Sequence, residues 1–239
     1  MSLTPASRPP PIPSRAQRDL TVCVAALLAL LAWDASGLDL VLVRAYGDAS
    51  GFAWRDHWLT RGVLHEGGRA LGWAVFAALL WNLWRALPPA RALSRRERWW
   101  WFGTTLACLL IAPSIKQWSL TSCPWSLAEF GGAARHVSHW ALGVRDGGPG
   151  GCFPSGHAAA AFGFFAGWFA LRERAPRAAR AWLAAVLLLG TAYGWAQMAR
   201  GAHYASHTLW TGWICFVLSA ASWHALRRWR EGAPASPAH

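Results

Sequence analysis

Six long apolar runs, separated by polar and charged segments, dominate the pattern of the chain. Their lengths of 17 to 24 residues bracket the roughly 20 residues that an α-helix needs to cross a bilayer. The first run resembles a signal peptide at its start, but no small-residue cleavage site follows it, so we interpret it as a retained span. The pattern predicts an all-α, polytopic membrane protein, a bundle of six transmembrane helices. The runs are Leu20–Val43, Ala70–Leu87, Trp99–Ile115, Ser155–Leu171, Ala181–Met198 and Thr208–Leu226.

Composition agrees with this prediction and divides the chain into one domain and two tails. Hydrophobic residues make up 54% of the chain and charged residues 14%, against about 25% charged residues in soluble proteins. An ordinary soluble enzyme is therefore excluded. Residues 20–229 are predicted to form a single six-span membrane domain. Residues 1–19, with five prolines among polar residues and arginines, and residues 230–239 are predicted to be disordered cytoplasmic tails.

The distribution of basic residues predicts the orientation of the spans. The net charge is +12, but nucleic-acid binding would require these residues on one face, whereas they lie between the apolar runs. If the N-terminus is cytoplasmic, 15 of the 23 basic residues fall in cytoplasmic segments, as the positive-inside rule requires. We therefore predict a bacterial-type inner (plasma) membrane protein with both termini in the cytoplasm. The loops after spans three and five then face the periplasm.

Three segments in these outer loops carry candidate chemistry. They are Lys116, the sequence Pro154–His157 at the start of span four, and the sequence Arg200–His207 between spans five and six. Each has an ordinary explanation, such as a snorkelling lysine or a helix cap. Together they offer cations, helix-terminal N–H groups and two imidazoles at the level of the lipid headgroups. This combination favours displacement at the phosphorus of a lipid phosphate.

At these residues the chain resembles the type 2 phosphatidic acid phosphatase superfamily, whose motifs are KxxxxxxRP, PSGH and SRxxxxxHxxxD. Pro154–His157 matches the second motif in full. The resemblance implies that His203 is the nucleophile, which forms a phosphohistidine, and that His157 protonates the leaving lipid alkoxide. It implies no metal and no cofactor. The groups implied to hold the phosphoryl oxygens are Lys116, Ser155, Gly156 and Arg200.

The chain departs from these motifs at three places. Cys123 replaces the first arginine. Ala196 and Gln197 replace the serine and arginine of the third motif, although Arg200 follows about one helical turn later. His207 replaces the aspartate that would orient the nucleophile. A neutral imidazole can fix the tautomer of its neighbour but supplies no negative charge. Either catalysis is weaker, or an acid from elsewhere assists. The outer candidates are Asp48, Asp56, Glu66, Glu129 and Asp146.

Two pairs of residues have open interpretations. Cys123 and Cys152 flank the longest outer loop and form either a disulfide, which persists in this compartment, or two free thiols. Asp34 and Asp39 lie in the first apolar run, where carboxylates are costly. Asp39 either lines the entry of the substrate or pairs with an arginine or hydroxyl of another span. We favour the second interpretation.

The function that follows is that of a lipid phosphate phosphatase, a phosphoric monoester hydrolase that acts on a phosphomonoester or pyrophosphate. The expected substrate is a phospholipid, a polyprenyl diphosphate or a lipid A in the membrane, and no nucleic-acid partner is expected. Two alternatives remain. The first is a phosphotransferase that uses a lipid acceptor in place of water. The second is a catalytically silent protein that binds anionic lipid headgroups.

Overall fold

The computed structural model describes residues 14–232, and most of them are helical. The predicted tail segments 1–13 and 233–239 lie outside the described residues. A short antiparallel hairpin joins β1 (Gly47–Asp48) to β2 (Gly51–Phe52), and a π-helix covers Trp58–Gly67. The α-helices are α1 (Arg15–Ser36), α2 (Leu38–Arg44), α3 (Gly68–Trp81), α4 (Arg95–Lys116), α5 (Ala159–Phe162), α6 (Ala166–Leu171), α7 (Pro176–Ala199) and α8 (Ala205–Gly232). Single 3-10 turns cover Ala90–Ala92, Pro124–Ser126, Ala128–Phe130 and Gly163–Phe165.

Local capping sets the start of α1. The Ser14 hydroxyl accepts a hydrogen bond from the Gln17 N–H, and the Gln17 side chain accepts one from the Ser14 N–H. This reciprocal pair is a capping box, which satisfies two N–H groups at the helix terminus. The disorder predicted for residues 1–19 therefore does not hold for residues 15–19. At the other end α8 continues to Gly232, into the tail predicted from residue 230.

A glycine interrupts the first predicted span. Gly37 has a φ of 71°, a left-handed conformation that ends α1 and that glycine adopts without steric cost. The predicted run Leu20–Val43 is consequently two helices, α1 and α2, instead of one.

Within residues 14–232, three helices are long and apolar enough to cross a membrane: Arg15–Ser36, Pro176–Ala199 and Ala205–Trp229. The stretch Ala159–Leu171 is a shorter apolar helix. Large apolar side chains on the outside of the bundle remain uncovered, with 61% of Leu28 and 72% of Leu188 exposed. Exposed apolar surface of this kind is typical of a membrane-facing protein. The prediction of a mostly helical chain that contains helices apolar enough to cross a membrane is therefore confirmed.

Close packing of the helices depends on small residues at their contacts. A Cβ atom on Gly190 of α7 would lie 2.1 Å from the ring of Phe162, so only glycine lets these two helices approach as they do. Phe162 and Phe165 stack with ring centroids 5.5 Å apart, and Phe165 meets Phe216 of α8 edge to face. This aromatic core holds α5, α7 and α8 together beneath the end of the bundle that carries the site.

Candidate active site

One cavity of about 420 Å³ brings together most of the predicted site residues. It lies where α4 and α7 end and where the chain enters α5 and α8. Five of the seven predicted residues line it: Lys116, Gly156, His157, Arg200 and His203. Residues that are far apart in the sequence therefore share one concave surface, and the predicted residues contribute two imidazoles and two cations to it.

The chain places His203 in a tight turn after α7. The Gln197 carbonyl accepts hydrogen bonds from the N–H groups of Ala202 and His203. Gly201 has a φ of 70°, and a Cβ atom there would lie 2.4 Å from the Phe52 ring, so the turn requires glycine. Nδ1 of His203 lies 3.7 Å from Sγ of Cys152.

The environment of His203 keeps its imidazole neutral. The side chain is buried, and burial lowers its pKa to about 3, with the charges of Lys116 and His157 acting in the same direction. A neutral imidazole has the lone pair that a nucleophile requires. The electrostatics therefore suit the role that the sequence suggested for this residue.

A second histidine, His65, stands beside His157 and was missed by the sequence analysis. The two ring centroids are 4.4 Å apart, and Nε2 of His157 is 3.0 Å from the Leu64 carbonyl oxygen. The Gln197 amide donates a hydrogen bond of 2.6 Å to Nδ1 of His65, so the neutral ring carries its proton on Nε2. Burial, reinforced by the charges of His157 and Arg200, lowers the pKa of His65 to about 4. The only sequence signal was a polar residue in an outer loop.

The second cation reaches the cavity as the sequence analysis expected. Because α7 continues to Ala199, Arg200 follows Gln197 by about one turn of the same helix. The Arg200 guanidinium donates to Oε1 of Gln197 at 3.4 Å and to the Arg55 carbonyl at 2.8 Å. Gln197, which occupies the motif's arginine position, thus links Arg200 to His65. Arg69 also lines the cavity and adds a cation that the sequence analysis did not include.

Ser155 does not line the cavity, and its backbone N–H is not an open donor. Its backbone N–H donates to the His207 carbonyl at 3.2 Å, and its hydroxyl accepts from the Ala158 N–H at 3.4 Å. The side chain is fully buried. The regular helix begins at Ala159 instead of Ser155, because the residues between them form a turn that packs against α8.

His207 also lies outside the cavity of about 420 Å³. Its ring centroid is 5.7 Å from that of His203, with the two planes at 63°. Nδ1 of His207 is buried and, within residues 14–232, has no hydrogen-bond partner. The ring faces a second, smaller cavity.

The five acids considered as helpers are engaged elsewhere or lie away from the cavity. Asp146 accepts from the Ser122 N–H and hydroxyl, while Asp48 accepts from Ser50. The other three form ion pairs on the surface: Asp56 and Glu66 with Arg61, and Glu129 with Arg44. None of the five lines the cavity.

Asp39, in α2, interacts with another span. Its carboxylate accepts from the Ser206 N–H at 3.0 Å, from the Ser206 hydroxyl and from Nε1 of Trp33 at 3.0 Å. The carboxylate therefore holds the start of α8, where a negative charge also favours the helix dipole. This is the interpretation favoured from the sequence, in which Asp39 pairs with a hydroxyl.

A disulfide joins Cys123 to Cys152, with Cα atoms 5.1 Å apart. It links the loop after α4 to the segment that enters Pro154–His157. The two sulfurs and His203 are close enough to one another for a shared metal ion. Because the sulfurs are bonded to each other, they are not thiolate ligands.

The described residues form a helical bundle with membrane-suited helices and a cavity that brings histidines and cations together. The family model of the PAP2 superfamily matches residues 97–231, which is more than half of the chain. The chain therefore belongs to the PAP2 superfamily, whose members are generally phosphatases. No curated protein and no solved structure matches the chain. The matched segment contains the five lining residues named first but neither His65 nor Arg69.

Proposed function

We propose that the protein is a lipid phosphate phosphatase that hydrolyses a phosphomonoester or pyrophosphate of a membrane lipid through a phosphohistidine on His203. One observation carries the proposal: Lys116, His157, Arg200 and His203 line a single cavity of about 420 Å³. The family membership supports phosphatase chemistry in general. Because the four residues are two histidines and two cations, we assign them the roles of nucleophile, acid and phosphate-binding groups.

In the first step Nε2 of His203 attacks the phosphorus. The P–N bond forms while the P–O bond to the lipid breaks, and the departing alkoxide takes a proton from His157. Lys116 and Arg200 stabilise the charge that develops on the equatorial oxygens, which is usually the largest catalytic effect in such transfers. A bound phosphate dianion offsets these cations and so favours the protonated form of His157.

In the second step water attacks the phosphohistidine. His157, now neutral, removes a proton from the water as the new P–O bond forms and the P–N bond breaks. Inorganic phosphate then leaves, and His203 and His157 return to their starting protonation states. The Nε2–H group of His65 is available to donate a hydrogen bond to a phosphoryl oxygen or the leaving group.

The membrane arrangement is part of the same proposal. The apolar exposed faces and the excess of arginines in the segments predicted to be cytoplasmic support six spans with both termini inside. The cavity then lies at the periplasmic end of the bundle in the inner membrane. A phospholipid, a polyprenyl diphosphate or a lipid A would present its phosphate at this level, with its chains in the bilayer.

The test is phosphate release from a panel of these lipid phosphates by detergent-solubilised protein, without an acceptor lipid. We expect wild type to release phosphate and His203→Ala to release none above background. His224→Ala is the matched control, since His224 contacts Asp19 at the opposite end of the bundle, and it should keep its activity. Equal release by wild type and His203→Ala would contradict the proposal. Transfer to an added lipid without hydrolysis would indicate the phosphotransferase instead.

A further inference from the structure

A second cavity, of about 70 Å³, lies beside His207 and is separate from the cavity of about 420 Å³ that His203 lines. Its lining includes Asp34 from α1, His139 from the loop between α4 and α5, and His207 from α8. We call these three residues the rear cluster. Each contributes a buried polar atom that has no hydrogen-bond partner within residues 14–232, namely Oδ1 of Asp34, Nε2 of His139 and Nδ1 of His207.

The rear cluster connects the proposed nucleophile to a carboxylate. From His203 the next ring is His207 at 5.7 Å between centroids, and the ring after that is His139 at 5.2 Å and 86°. Nε2 of His139 then lies 3.5 Å from Oδ2 of Asp34. The side chains of His139 and Asp34 are only 8% and 9% exposed, so the interactions along this chain are poorly screened by solvent.

The structure fixes Asp34 at the end of the chain. Its Oδ2 accepts hydrogen bonds from Nε1 of Trp140 at 2.7 Å and Nε1 of Trp210 at 2.8 Å. Neither indole carries a charge, and within residues 14–232 the residue at ion-pair distance from this carboxylate is His139, not an arginine. Burial of a carboxylate costs free energy. The position of Asp34 beside two histidines therefore suggests that its negative charge has a function.

The spacing of the cluster suits water better than a metal ion. In the described residues, the group of histidine, cysteine and acid ligands close enough to share an ion is Cys123, Cys152 and His203, not the rear cluster. A water molecule occupies about 30 Å³ in the liquid, so the small cavity has room for about two. Waters there would satisfy the three unpartnered atoms and link the side chains in series.

We propose that Asp34, acting through His139 and His207, supplies the negative charge that the family motif places on an aspartate beside the nucleophile. Formation of the phosphohistidine puts positive charge on the His203 ring, and a carboxylate behind that ring stabilises it. His207 occupies the motif position of the aspartate and transmits the electrostatic effect of Asp34 to the His203 ring. These three are positioning residues, and their role rests on the proposed phosphatase function.

Other charged or titratable groups face the cluster but do not replace Asp34. They are Asp39 from α2, His136 from the loop, Tyr204 from the turn before α8 and Lys116 from α4. Asp39 is the nearest rival, yet both of its oxygens are engaged by Ser206, and one also by Trp33. Its carboxylate therefore anchors the helix and has no unpartnered oxygen facing the cavity.

The test is a double-mutant cycle on phosphate release. In the wild-type background, Asp34→Asn should lower kcat about tenfold at unchanged KM, within the range of coupling energies between contacting residues. His207→Asp places a carboxylate directly beside His203, so in that background Asp34→Asn should change kcat less than about twofold. Asp48→Asn, the same change at an exposed outer carboxylate that contacts Ser50, is the matched control and should have no effect.

If Asp34→Asn lowered kcat equally in both backgrounds, or lowered it in neither, the proposed role of Asp34 would be overturned. If Asp34→Asn does not fold, as shown by size-exclusion in detergent, His139→Gln interrupts the same chain and must follow the same pattern. Failure of the phosphatase itself is distinguishable, because it appears as equal phosphate release by wild type and His203→Ala.

Discussion

Removal of the disulfide should lower the stability of the protein by an amount that depends on the length of the loop that the disulfide closes. Replacing both Cys123 and Cys152 by serine opens a loop with a sequence separation of 29 residues. On the chain-entropy model, closure of such a loop stabilises the folded protein by roughly 3–4 kcal/mol. For a protein of this size, this free energy corresponds to a drop in Tm of roughly 10 °C.

Activity should fall in the same variant, because the disulfide touches the site. Sγ of Cys152 is 3.7 Å from Nδ1 of His203, and Cys123 lines the cavity. Without the link, the loop after α4 and the segment entering Pro154–His157 are no longer tied together. We therefore expect kcat for phosphate release to decrease at 25 °C, where the variant is still folded.

The assay combines thermal unfolding in detergent with phosphate release on the same samples. Cys23→Ser is the matched control, since Cys23 is a free thiol in α1 far along the chain from the site, and it should change neither quantity. A double variant with wild-type Tm and wild-type kcat would refute the reasoning from loop closure and from the contact with His203.

Three further predictions concern other parts of the molecule. Asp19→Ala removes the carboxylate that binds the buried Arg172 guanidinium at 2.7 and 2.8 Å. Chemical denaturation should show that the free energy of unfolding decreases by about 3–5 kcal/mol. An unchanged denaturation midpoint would contradict this prediction. His65→Ala should lower kcat by about 10-fold or more, because it removes an N–H donor from the cavity. His57→Ala, outside the cavity, serves as the control. Equal kcat values for the two variants would exclude a role for His65. Because the pKa of His203 is lowered to about 3, the unfolded chain binds a proton below pH 6.5 that the folded chain excludes. Stability should thus fall with decreasing pH between about 6.5 and 3, by up to about 1.4 kcal/mol per unit. His203→Asn should show a correspondingly flatter dependence than wild type.

Much of the helical arrangement was predictable because apolar runs of membrane length have few alternatives. The run Ala181–Met198 falls inside α7, and Trp99–Ile115 falls inside α4. The family motifs also predicted that Lys116, His157 and His203 would lie together, and they line one cavity. Lys116 ends α4, while His157 and His203 lie in the turns that precede α5 and α8, so the ends of these helices meet at the cavity.

Features that depend on single backbone or side-chain contacts were not predictable. The break at Gly37 follows from a left-handed φ that an apolar run does not reveal. Ser155 matched a motif, but its N–H is used by the His207 carbonyl, a contact between distant segments. His65 enters the cavity through a π-helix, Trp58–Gly67, which lies between the predicted spans and matched no motif. Tertiary contacts decided all three.

The central claim is that His203 is the phosphorylated nucleophile, and trapping that intermediate tests it most directly. Rapid acid-free quenching of wild type with a lipid phosphate carrying a radiolabelled phosphoryl group should give label that is stable in base, labile in acid and located on the peptide containing His203. His203→Ala should carry no label, while Asp48→Asn should label as wild type does. Release of labelled phosphate from wild type without any labelled His203 at any time point would contradict the account.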